Sequence, residues 1–220
     1  MINIAIDGPA GAGKSTIAKA AAKEFGYIYV DTGALYRAVG LFVKENGKDT
    51  TNEEQIKPLL EKLTISLKFI DFEQRVFIGE RDVSSLIRTP EISMAASDVS
   101  AHPIVRDFLF NLQRDIAAKN NCVMDGRDIA TVVLPDANVK IFLTATAEER
   151  AKRRYHELIT KGQEVSFDEV LFDVKKRDEQ DSSRKIAPLK PASDSIILDT
   201  TGYTLKQSIK LMIDTIKENI

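Results

Sequence analysis

The sequence is poor in cysteine and has no long hydrophobic run. Its single cysteine, Cys122, cannot form an internal disulfide bond, which favours a reducing compartment. Because it lies in the apolar run Cys122-Val123-Met124, we expect a buried strand cysteine and not a nucleophile. No apolar stretch approaches the length that a membrane-spanning helix needs, and a first strand beginning at residue 2 leaves no room for a signal or transit peptide. We therefore expect a cytoplasmic protein that makes no membrane contact.

The sequence also lacks an excess of charge of either sign. Asp and Glu number 33 and Lys and Arg number 31, which gives a formal net charge of −2. Nucleic acid polymers and anionic membranes are bound by basic surfaces, so this balance gives no reason to expect either partner. There is no internal repeat, low-complexity segment or exposed coiled-coil seam, and we expect a monomer. A length of 220 residues suits one α/β domain with a substantial core and a small insertion.

A glycine-rich motif that contains a lysine lies near the start of the chain. It has the spacing G-x-x-x-x-G-K-S and consists of Gly8, Pro9, Ala10, Gly11, Ala12, Gly13, Lys14 and Ser15. The glycines let backbone N–H groups surround phosphate oxygens, the lysine reaches the β- and γ-phosphates, and the serine hydroxyl is a ligand for Mg²⁺. An apolar strand is predicted before the motif, and after it a helix over 16–25 that ends at Gly26. The motif therefore predicts a nucleoside triphosphate site, where the helix dipole adds to the loop amides.

The remaining hydrophobic pattern is typical of a parallel sheet with helices between its strands. Five short apolar runs predict buried parallel strands, at 2–6, 27–30, 122–125, 139–143 and 196–199. Between 63 and 83 the pattern alternates instead, with Gly79-Glu80-Arg81-Asp82 as a turn, so we expect a small antiparallel insertion there. Near the C-terminus, Thr204-x-x-Gln207 predicts a helix start. We expect the apolar stripe of that helix in the core; it consists of Leu205, Ile209, Met212, Ile213 and Ile216.

Polar residues follow the second predicted strand, where open α/β sheets bind nucleotides. The segment reads Asp31-Thr32-Gly33-Ala34-Leu35-Tyr36-Arg37. Helical periodicity buries Leu35 and leaves Tyr36 and Arg37 on another face, near the helix start. A surface arginine alone means little, but this position one short turn beyond a strand favours an anion contact for Arg37.

The third predicted strand is followed by a second charged segment, Asp125-Gly126-Arg127-Asp128. Asp125 is the type of carboxylate that orients Mg²⁺ or its waters beside a glycine-rich phosphate loop. Arg127 offers a planar pair of donors for a phosphate. Asp128 can accept hydrogen bonds from an exocyclic amine.

A predicted helix over 147–161 is rich in arginine. Its apolar residues are Ala151, Tyr155, Leu158 and Ile159, its other faces carry Arg150, Lys152, Arg153 and Arg154, and Gly162 follows it. Pairs of Glu148 with Lys152 and of Glu149 with Arg153 are typical of an ordinary solvated helix. Three arginines within five residues nevertheless exceed what such pairing requires.

The next predicted helix begins with the capping box Ser166-x-x-Glu169. Its inward stripe changes from apolar to charged along its length: Val170, Val174, Arg177, Asp181 and Arg184. Such groups are costly to bury unpaired, so they must face partners or a polar cleft. A structural ion-pair network is one interpretation. A substrate that carries phosphate fits better, because two arginines beside one acid leave positive charge uncompensated.

Together these segments resemble bacterial cytidylate kinases, and the resemblance extends over nearly the whole chain. It rests on residues 8–16, 31–37 and 125–128, on Arg177-Asp178-x-x-Asp181-x-x-Arg184, and on Arg88-Thr89-Pro90-Glu91 and Ile186-Ala187-Pro188-Leu189. The glycine-rich loop alone is shared with many kinases, but its combination with the other segments is specific. The resemblance implies transfer of the γ-phosphoryl group of ATP to CMP or dCMP, with Mg²⁺.

The resemblance also implies a fold and its division into regions. The fold is α/β, a P-loop three-layer α/β/α architecture with a five-stranded parallel sheet, a small antiparallel β insert in the NMP-binding region and a short helical lid. The chain would be one P-loop kinase domain over 1–220. Its core would comprise 1–35, 103–146 and 186–220, its NMP-binding region about 36–102 and its lid about 147–185.

Roles for individual residues follow from the resemblance as well. ATP would contact Gly8, Pro9, Ala10, Gly11, Ala12, Gly13, Lys14, Ser15 and Thr16, with Arg153 or Arg154 closing over its phosphates. The acceptor phosphate would be held by Arg37, Arg127 and Arg184, the sugar hydroxyls by Arg177 and Asp181, and the cytosine edge by Ser97, Arg106 and Asp128. Thr32 and Tyr36 would also line the CMP site. The catalytic set would be Lys14, Arg127, Arg184 and Asp125, with Mg²⁺ on Ser15 and, through water, on Asp125.

Two alternatives stay open at this point. One is a P-loop kinase for another acceptor, such as UMP, AMP or a small hydroxyl metabolite like shikimate. A hydroxyl acceptor would normally require a general base, whereas the arginine-rich segments favour a phosphate. The other is a nucleotide-switch protein, which would need a guanine-reading N/T-K-x-D segment that the sequence lacks.

Overall fold

The computed structural model describes residues 1–70, 73–160, 162–184 and 186–220. Residues 71 and 72 of the predicted insertion, and 161 and 185 at the ends of the predicted helix and lid, lie outside the described residues. The strands are β1 (Asn3–Asp7), β2 (Ile28–Asp31), β3 (Ile65–Ile70), β4 (Glu73–Ile78), β5 (Arg81–Asp82), β6 (Cys122–Asp125), β7 (Val139–Thr144) and β8 (Ile196–Asp199).

The helices alternate with the strands along most of the chain. They are α1 (Lys14–Phe25), α2 (Thr32–Glu45), α3 (Glu53–Leu60), α4 (Pro90–Val99), α5 (Pro103–Lys119), α6 (Ala147–Thr160), α7 (Phe167–Ser182) and α8 (Leu205–Asn219). A short 3₁₀ helix spans Leu86–Arg88, and one π-helical turn spans Ile129–Val133. No helix in the described parts of the chain is both long and apolar enough to span a membrane.

The larger of two compact units comprises residues 2–27 and 121–220. Its strands are parallel: β1 pairs with β6 in the register Ile4 to Val123, β1 with β7, and β7 with β8. Within this unit the strand order is β6-β1-β7-β8. Ile4 and Cys122 are fully buried, as expected for strands covered on both faces. The five predicted parallel strands are therefore confirmed, each within one residue of its predicted bounds.

The other unit comprises Met1 and Ile28–Asn120. Its core forms around α2, whose Leu35, Val39 and Val43 are fully buried. The strands β3, β4 and β5 form the predicted antiparallel sheet, in that order. The predicted turn is shorter than expected, because Arg81 pairs with Ile78 as a strand residue and only Gly79 and Glu80 make the turn.

Local signals at the helix ends agree with the structure. Both predicted capping boxes form, since the Ser166 and Thr204 hydroxyls accept from the amides of Glu169 and Gln207. Gly26 ends α1 in a left-handed conformation. One core prediction is wrong: Leu205 is 54% exposed, whereas Met212 and Ile216 in the same stripe are buried. Leu205 is the first residue of α8 and lies beyond the part of the helix that packs inward.

Candidate active site

The glycine-rich loop leads from β1 into α1, and its glycines are required by contacts as well as by dihedral angles. A Cβ on Gly8 would lie 2.0 Å from the carbonyl oxygen of Leu143, and a Cβ on Gly11 would lie 3.3 Å from Cβ of Arg150. Gly13 precedes α1 with φ of 85°, a left-handed conformation that favours glycine. The loop therefore places the N-terminus of α1 where phosphate oxygens could accept from its free amides.

Lys14 is the first residue of α1 and is buried. Its ammonium group donates to the carbonyl oxygens of Gly8 and Pro9, at 2.7 and 2.8 Å. Burial and the nearby guanidinium of Arg127 lower the pKa of Lys14 from 10.5 to about 7, although nearby carboxylates act in the opposite direction. A cation in this position is stabilised by a bound polyanion, which is the role that the motif predicts.

Ser15 and Asp125 are brought together at the ends of α1 and β6. The Ser15 hydroxyl donates to Oδ2 of Asp125 at 3.0 Å, and Asp125 is buried. Among the described residues, no group of three or more His, Cys, Asp and Glu side chains could hold a metal ion. A hydroxyl and one carboxylate are oxygen donors that suit Mg²⁺ when phosphates and water supply its other ligands. The donor set therefore fits Mg²⁺ in the company of a bound nucleotide.

The charged stripe on α7 meets the segment that follows β6. Asp181 is 2% exposed and accepts from Nε of Arg127 at 2.9 Å and from Nη2 of Arg184 at 2.5 Å. Although burial raises the pKa of Asp181, these two guanidinium groups hold it below its ordinary value. Two cations share one anion, so the cluster keeps a net positive charge. Arg177 also lowers the pKa of Asp181 and lies in the same cluster.

Two further predicted site residues lie in the larger unit, Asp128 of the predicted CMP contacts and Thr16 of the predicted ATP contacts. Asp128 is buried and directly precedes the π-helical turn. Its carbonyl oxygen accepts from the amides of Val132 and Val133. Thr16 lies on α1 beside the loop, and it lines a cleft described below.

The sequence analysis gave no role to Asp7, the last residue of β1. It is 1% exposed, and its carboxylate oxygens accept from the amides of Ile129 and Ala130, both at 2.8 Å. Burial raises the pKa of Asp7 to about 6, despite the lowering effect of those two hydrogen bonds. An acid that directly precedes the glycine-rich loop was the available signal, but its partners are more than 120 residues away in the sequence.

The structure also corrects the assignment of Arg150, which was expected on a non-core face of its helix. Arg150 is 4% exposed and donates to the carbonyl oxygens of Ala145 and Ala10, both at 2.9 Å. It also makes a bidentate ion pair with Asp178 on α7. The arginine therefore connects the glycine-rich loop to both α6 and α7.

The two predicted ion pairs within α6 have different outcomes. Arg153 pairs with Glu149 at 3.4 Å, as the i,i+4 spacing predicted. Glu148, however, pairs with Lys175 of α7 at 3.0 Å, in place of the predicted Lys152. Packing of α7 against α6 brings this cation near, which the spacing within one helix could not reveal.

A cleft of about 420 Å³ lies beside the glycine-rich loop. Its wall includes Gly11 and Gly13, residues of α6, and the start of α8. Both predicted lid arginines line it: Arg153 donates to the Thr200 carbonyl oxygen at 2.8 Å, and the more exposed Arg154 pairs with Glu157. Leu205 and Tyr203 also line this cleft, so the exposed leucine presents apolar surface beside the glycine-rich loop.

In the smaller unit, the predicted site residue Arg37 belongs to a cluster around the buried Asp31. Its carboxylate accepts from Ala34 N at the start of α2, from Arg37 at 2.8 Å and from Arg88 at 3.2 Å. Here too, two arginines share one buried acid. Thr32 is buried as the first residue of α2.

The remaining predicted residues of this unit lie on α2, α4 and α5. The guanidinium of Arg106 lies 5.9 Å from the ring centroid of Tyr36, and it donates to the Ser100 carbonyl oxygen at 3.4 Å. The carbonyl oxygen of Ser97 accepts from the Ser100 hydroxyl. The predicted roles of these residues toward CMP stay predictions.

Comparison with known proteins identifies relatives of the whole chain. A family model described as Cytidylate kinase matches residues 4–218. A cytidylate kinase of Carboxydothermus hydrogenoformans is 53% identical over 215 residues, covering 98% of this chain and 97% of its own length. A cytidylate kinase of Streptococcus mutans is 51% identical over 206 residues, covering 93% of this chain and 91% of its own length.

One solved structure is similar in fold. It is an uncharacterized protein from Eubacterium ventriosum, with a TM-score of 0.55, 17% identity, and coverage of 99% of this chain and 98% of that one. At this identity the likeness concerns the fold alone.

Proposed function

Because the chain belongs to the cytidylate kinase family, we propose that it transfers the γ-phosphoryl group of ATP to CMP or dCMP, forming CDP or dCDP. The observation that carries the proposal is the proximity of two cationic groups. Ser15, which follows Lys14, donates to Asp125 at 3.0 Å, two residues before Arg127, and the Arg127 guanidinium lowers the pKa of Lys14. Two phosphate-binding groups of this kind suit a donor and an acceptor phosphate that must approach each other.

The donor is bound by the glycine-rich loop and the cleft beside it. The loop amides, Lys14 and the N-terminus of α1 bind the ATP phosphates, and the nucleoside lies toward Tyr203 and Leu205. Ser15 and, through water, Asp125 would hold Mg²⁺, and the two side chains lie 3.0 Å apart. When bound, this ion neutralises charge that develops on the phosphate oxygens. Arg153 and Arg154 contact the ATP phosphates from α6.

The acceptor phosphate binds the guanidinium groups of Arg127 and Arg184. Asp181 pairs with both groups and holds them next to each other. Arg177 and Asp181 contact the sugar, and Asp128 accepts from the exocyclic amine of cytosine, as the family resemblance implies. Thr32, Tyr36, Arg37, Ser97 and Arg106 are assigned to the same nucleotide by the resemblance.

The transfer itself needs positioning and charge stabilisation more than covalent help. An oxygen of the CMP phosphate attacks the γ-phosphorus, the bond to the β,γ-bridging oxygen breaks, and ADP leaves with that electron pair. The attacking oxygen is already anionic, so no general base is required. Lys14, Arg127 and Arg184 stabilise negative charge on the moving group. Closure of α6 and α7 over it would exclude water and suppress ATP hydrolysis.

The experiment is a coupled ADP-release assay with ATP and Mg²⁺ across CMP, dCMP, UMP, AMP and shikimate. We expect turnover with CMP and dCMP to exceed that with the other acceptors. A preference for any of those others would instead support a different P-loop kinase, and nucleotide binding without turnover would support a switch protein. We further propose a cytoplasmic monomer, which gel filtration and cell fractionation test.

A further inference from the structure

Asp7 is a buried carboxylate that the reaction above does not use. It is the last residue of β1, directly before Gly8, and its two carboxylate oxygens accept from Ile129 N and Ala130 N, both at 2.8 Å. These amides begin the π-helical turn that directly follows Asp128. π-Helical turns are rare and occur frequently at functional sites.

The segment from Gly126 to Ala130 is attached to β1 at both of its ends. At one end the Gly126 amide donates to the Ile6 carbonyl oxygen at 3.0 Å, directly beyond the β1–β6 pairing. At the other end the Asp7 carboxylate accepts from the turn. Arg127 and Asp128 lie between these two attachments. The strand that carries the glycine-rich loop therefore also fixes the segment that carries both side chains.

A carboxylate suits this attachment better than an amide. Ionised Asp7 presents an acceptor to each of two adjacent N–H groups, whereas asparagine has one acceptor oxygen and would direct its NH₂ group at the other N–H. Charged acceptors also make stronger hydrogen bonds than neutral ones. Burying a carboxylate is nevertheless costly, so the stronger attachment comes at the expense of folding stability.

We propose that Asp7 is a positioning residue that sets the location of Arg127 and Asp128 relative to the glycine-rich loop. It touches neither substrate and acts through the backbone of the π-helical turn. This inference rests on the proposed function, because it assigns the acceptor phosphate to Arg127 and the cytosine amine to Asp128. Its consequence is specific: loss of the attachment weakens CMP binding and base discrimination more than it weakens ATP binding.

The test compares Asp7→Asn with the parent enzyme. We expect KM for CMP to rise by about tenfold, the effect of losing one charge-assisted hydrogen bond. We expect KM for ATP to stay within about twofold, and the ratio of kcat/KM for CMP over UMP to fall by about threefold or more. Asp194→Asn is the matched control, because Asp194 is an exposed acid in the loop before β8 and pairs with Lys140 of β7. This substitution should leave all these constants unchanged.

Two further measurements keep the outcome decisive. Met212→Ala removes a buried side chain from α8 and should lower stability without changing KM for CMP, which separates positioning from general destabilisation. If Asp7→Asn does not yield folded protein, Asp7→Ser supplies the comparison, because a hydroxyl accepts one of the two amide hydrogen bonds.

Different failures have different meanings. If Asp7→Asn changes kcat alone, or shifts both KM values equally, the positioning role is wrong although the enzyme is a cytidylate kinase. If the parent enzyme does not phosphorylate CMP, the proposed function is wrong and the inference is overturned with it.

Discussion

Arg150 donates to both carboxylate oxygens of Asp178, at 2.9 and 2.5 Å, and to the carbonyl oxygen of Ala10 in the glycine-rich loop. One buried guanidinium thus holds the loop and the two helices α6 and α7. The Ala145 carbonyl oxygen is a further acceptor, so the guanidinium donates to three residues. A lysine could not donate to all three in this fixed geometry. We expect the loop to depend on this side chain for its conformation.

Replacing Arg150 with alanine should therefore destabilise the fold and weaken ATP binding. It leaves the Asp178 carboxylate and two carbonyl oxygens without their donor, and we expect the free energy of unfolding to fall by about 2–4 kcal/mol. KM for ATP should rise. Urea denaturation and steady-state kinetics measure both effects.

The chain offers a matched control between the same two helices. Lys175 pairs with Glu148 at 3.0 Å, but both side chains are more than half exposed. Lys175→Ala should change stability by less than about 1 kcal/mol, as is usual for surface ion pairs. Equal losses in the two variants would contradict the role given to Arg150.

Gly8→Ala should be more damaging than a change at another left-handed glycine. Its Cβ would lie 2.0 Å from the Leu143 carbonyl oxygen, so β1 or β7 would have to move. We expect a loss of more than about 3 kcal/mol in the free energy of unfolding. A Cβ on Gly26 would have no atom within 4 Å, so the only cost of Gly26→Ala comes from its φ of 67°. We expect the free energy of unfolding to fall by about 1 kcal/mol. Similar losses would show that space around Gly8 is not limiting.

The parts predicted from sequence were those set by neighbouring residues. Periodicity located the five parallel strands and the antiparallel insertion, and short motifs located the capping boxes at Ser166 and Thr204. The spacing of Val170, Val174 and Asp181 predicted their shared buried face. Each of these signals depends on residues that lie close together in the sequence.

The parts that were missed depend on contacts between distant segments. From sequence, Arg150 resembles the other cations of a solvated helix, and its contacts with Asp178 and with Ala10, 140 residues away, are not visible in the helical pattern. Asp7 meets its partners 122 and 123 residues later. Leu205 completes a helical stripe, but periodicity cannot tell that the first turn of α8 borders a cleft.

Asp125→Asn should raise the Mg²⁺ concentration that half-maximal activity requires. The amide keeps one oxygen acceptor but loses the negative charge that attracts a hydrated cation. We expect a shift of about tenfold or more, seen as activity titrated with Mg²⁺ at fixed ATP. Asp136→Asn, in an exposed loop, should give the parental titration. A parental titration for Asp125→Asn would exclude this carboxylate from the metal site.

Arg127→Ala and Arg184→Ala should each reduce kcat/KM for CMP by about 10²-fold or more, because each removes a proposed donor to the acceptor phosphate. Either variant leaves Asp181 with its other arginine, so the fold should stay intact in far-UV circular dichroism. Arg114→Ala, an exposed arginine over Phe110, serves as the control and should retain parental turnover. Unchanged turnover in both site variants would leave the cluster with only a structural role.

Asp7 should also make the stability of the protein depend on pH. Burial raises its pKa from 3.8 to about 6, with Asp128 raising and Lys14 lowering it to smaller extents. Between these two values the folded protein keeps a proton that the unfolded chain has lost. The contribution of Asp7 to the free energy of unfolding therefore falls as pH rises through this window and is constant above it.

The Asn variant has no such proton to lose, so its stability relative to the parent should increase by roughly 2–3 kcal/mol between about pH 4 and pH 7. Urea denaturation across this range measures the difference, and a difference independent of pH would contradict the raised pKa. For Asp194→Asn the small effect should have the opposite sign, since Lys140 lowers the pKa of Asp194. Asp7→Asn should therefore weaken CMP binding and also relieve a cost of folding near neutral pH. This combination is expected of a residue that positions the site and does not stabilise the fold.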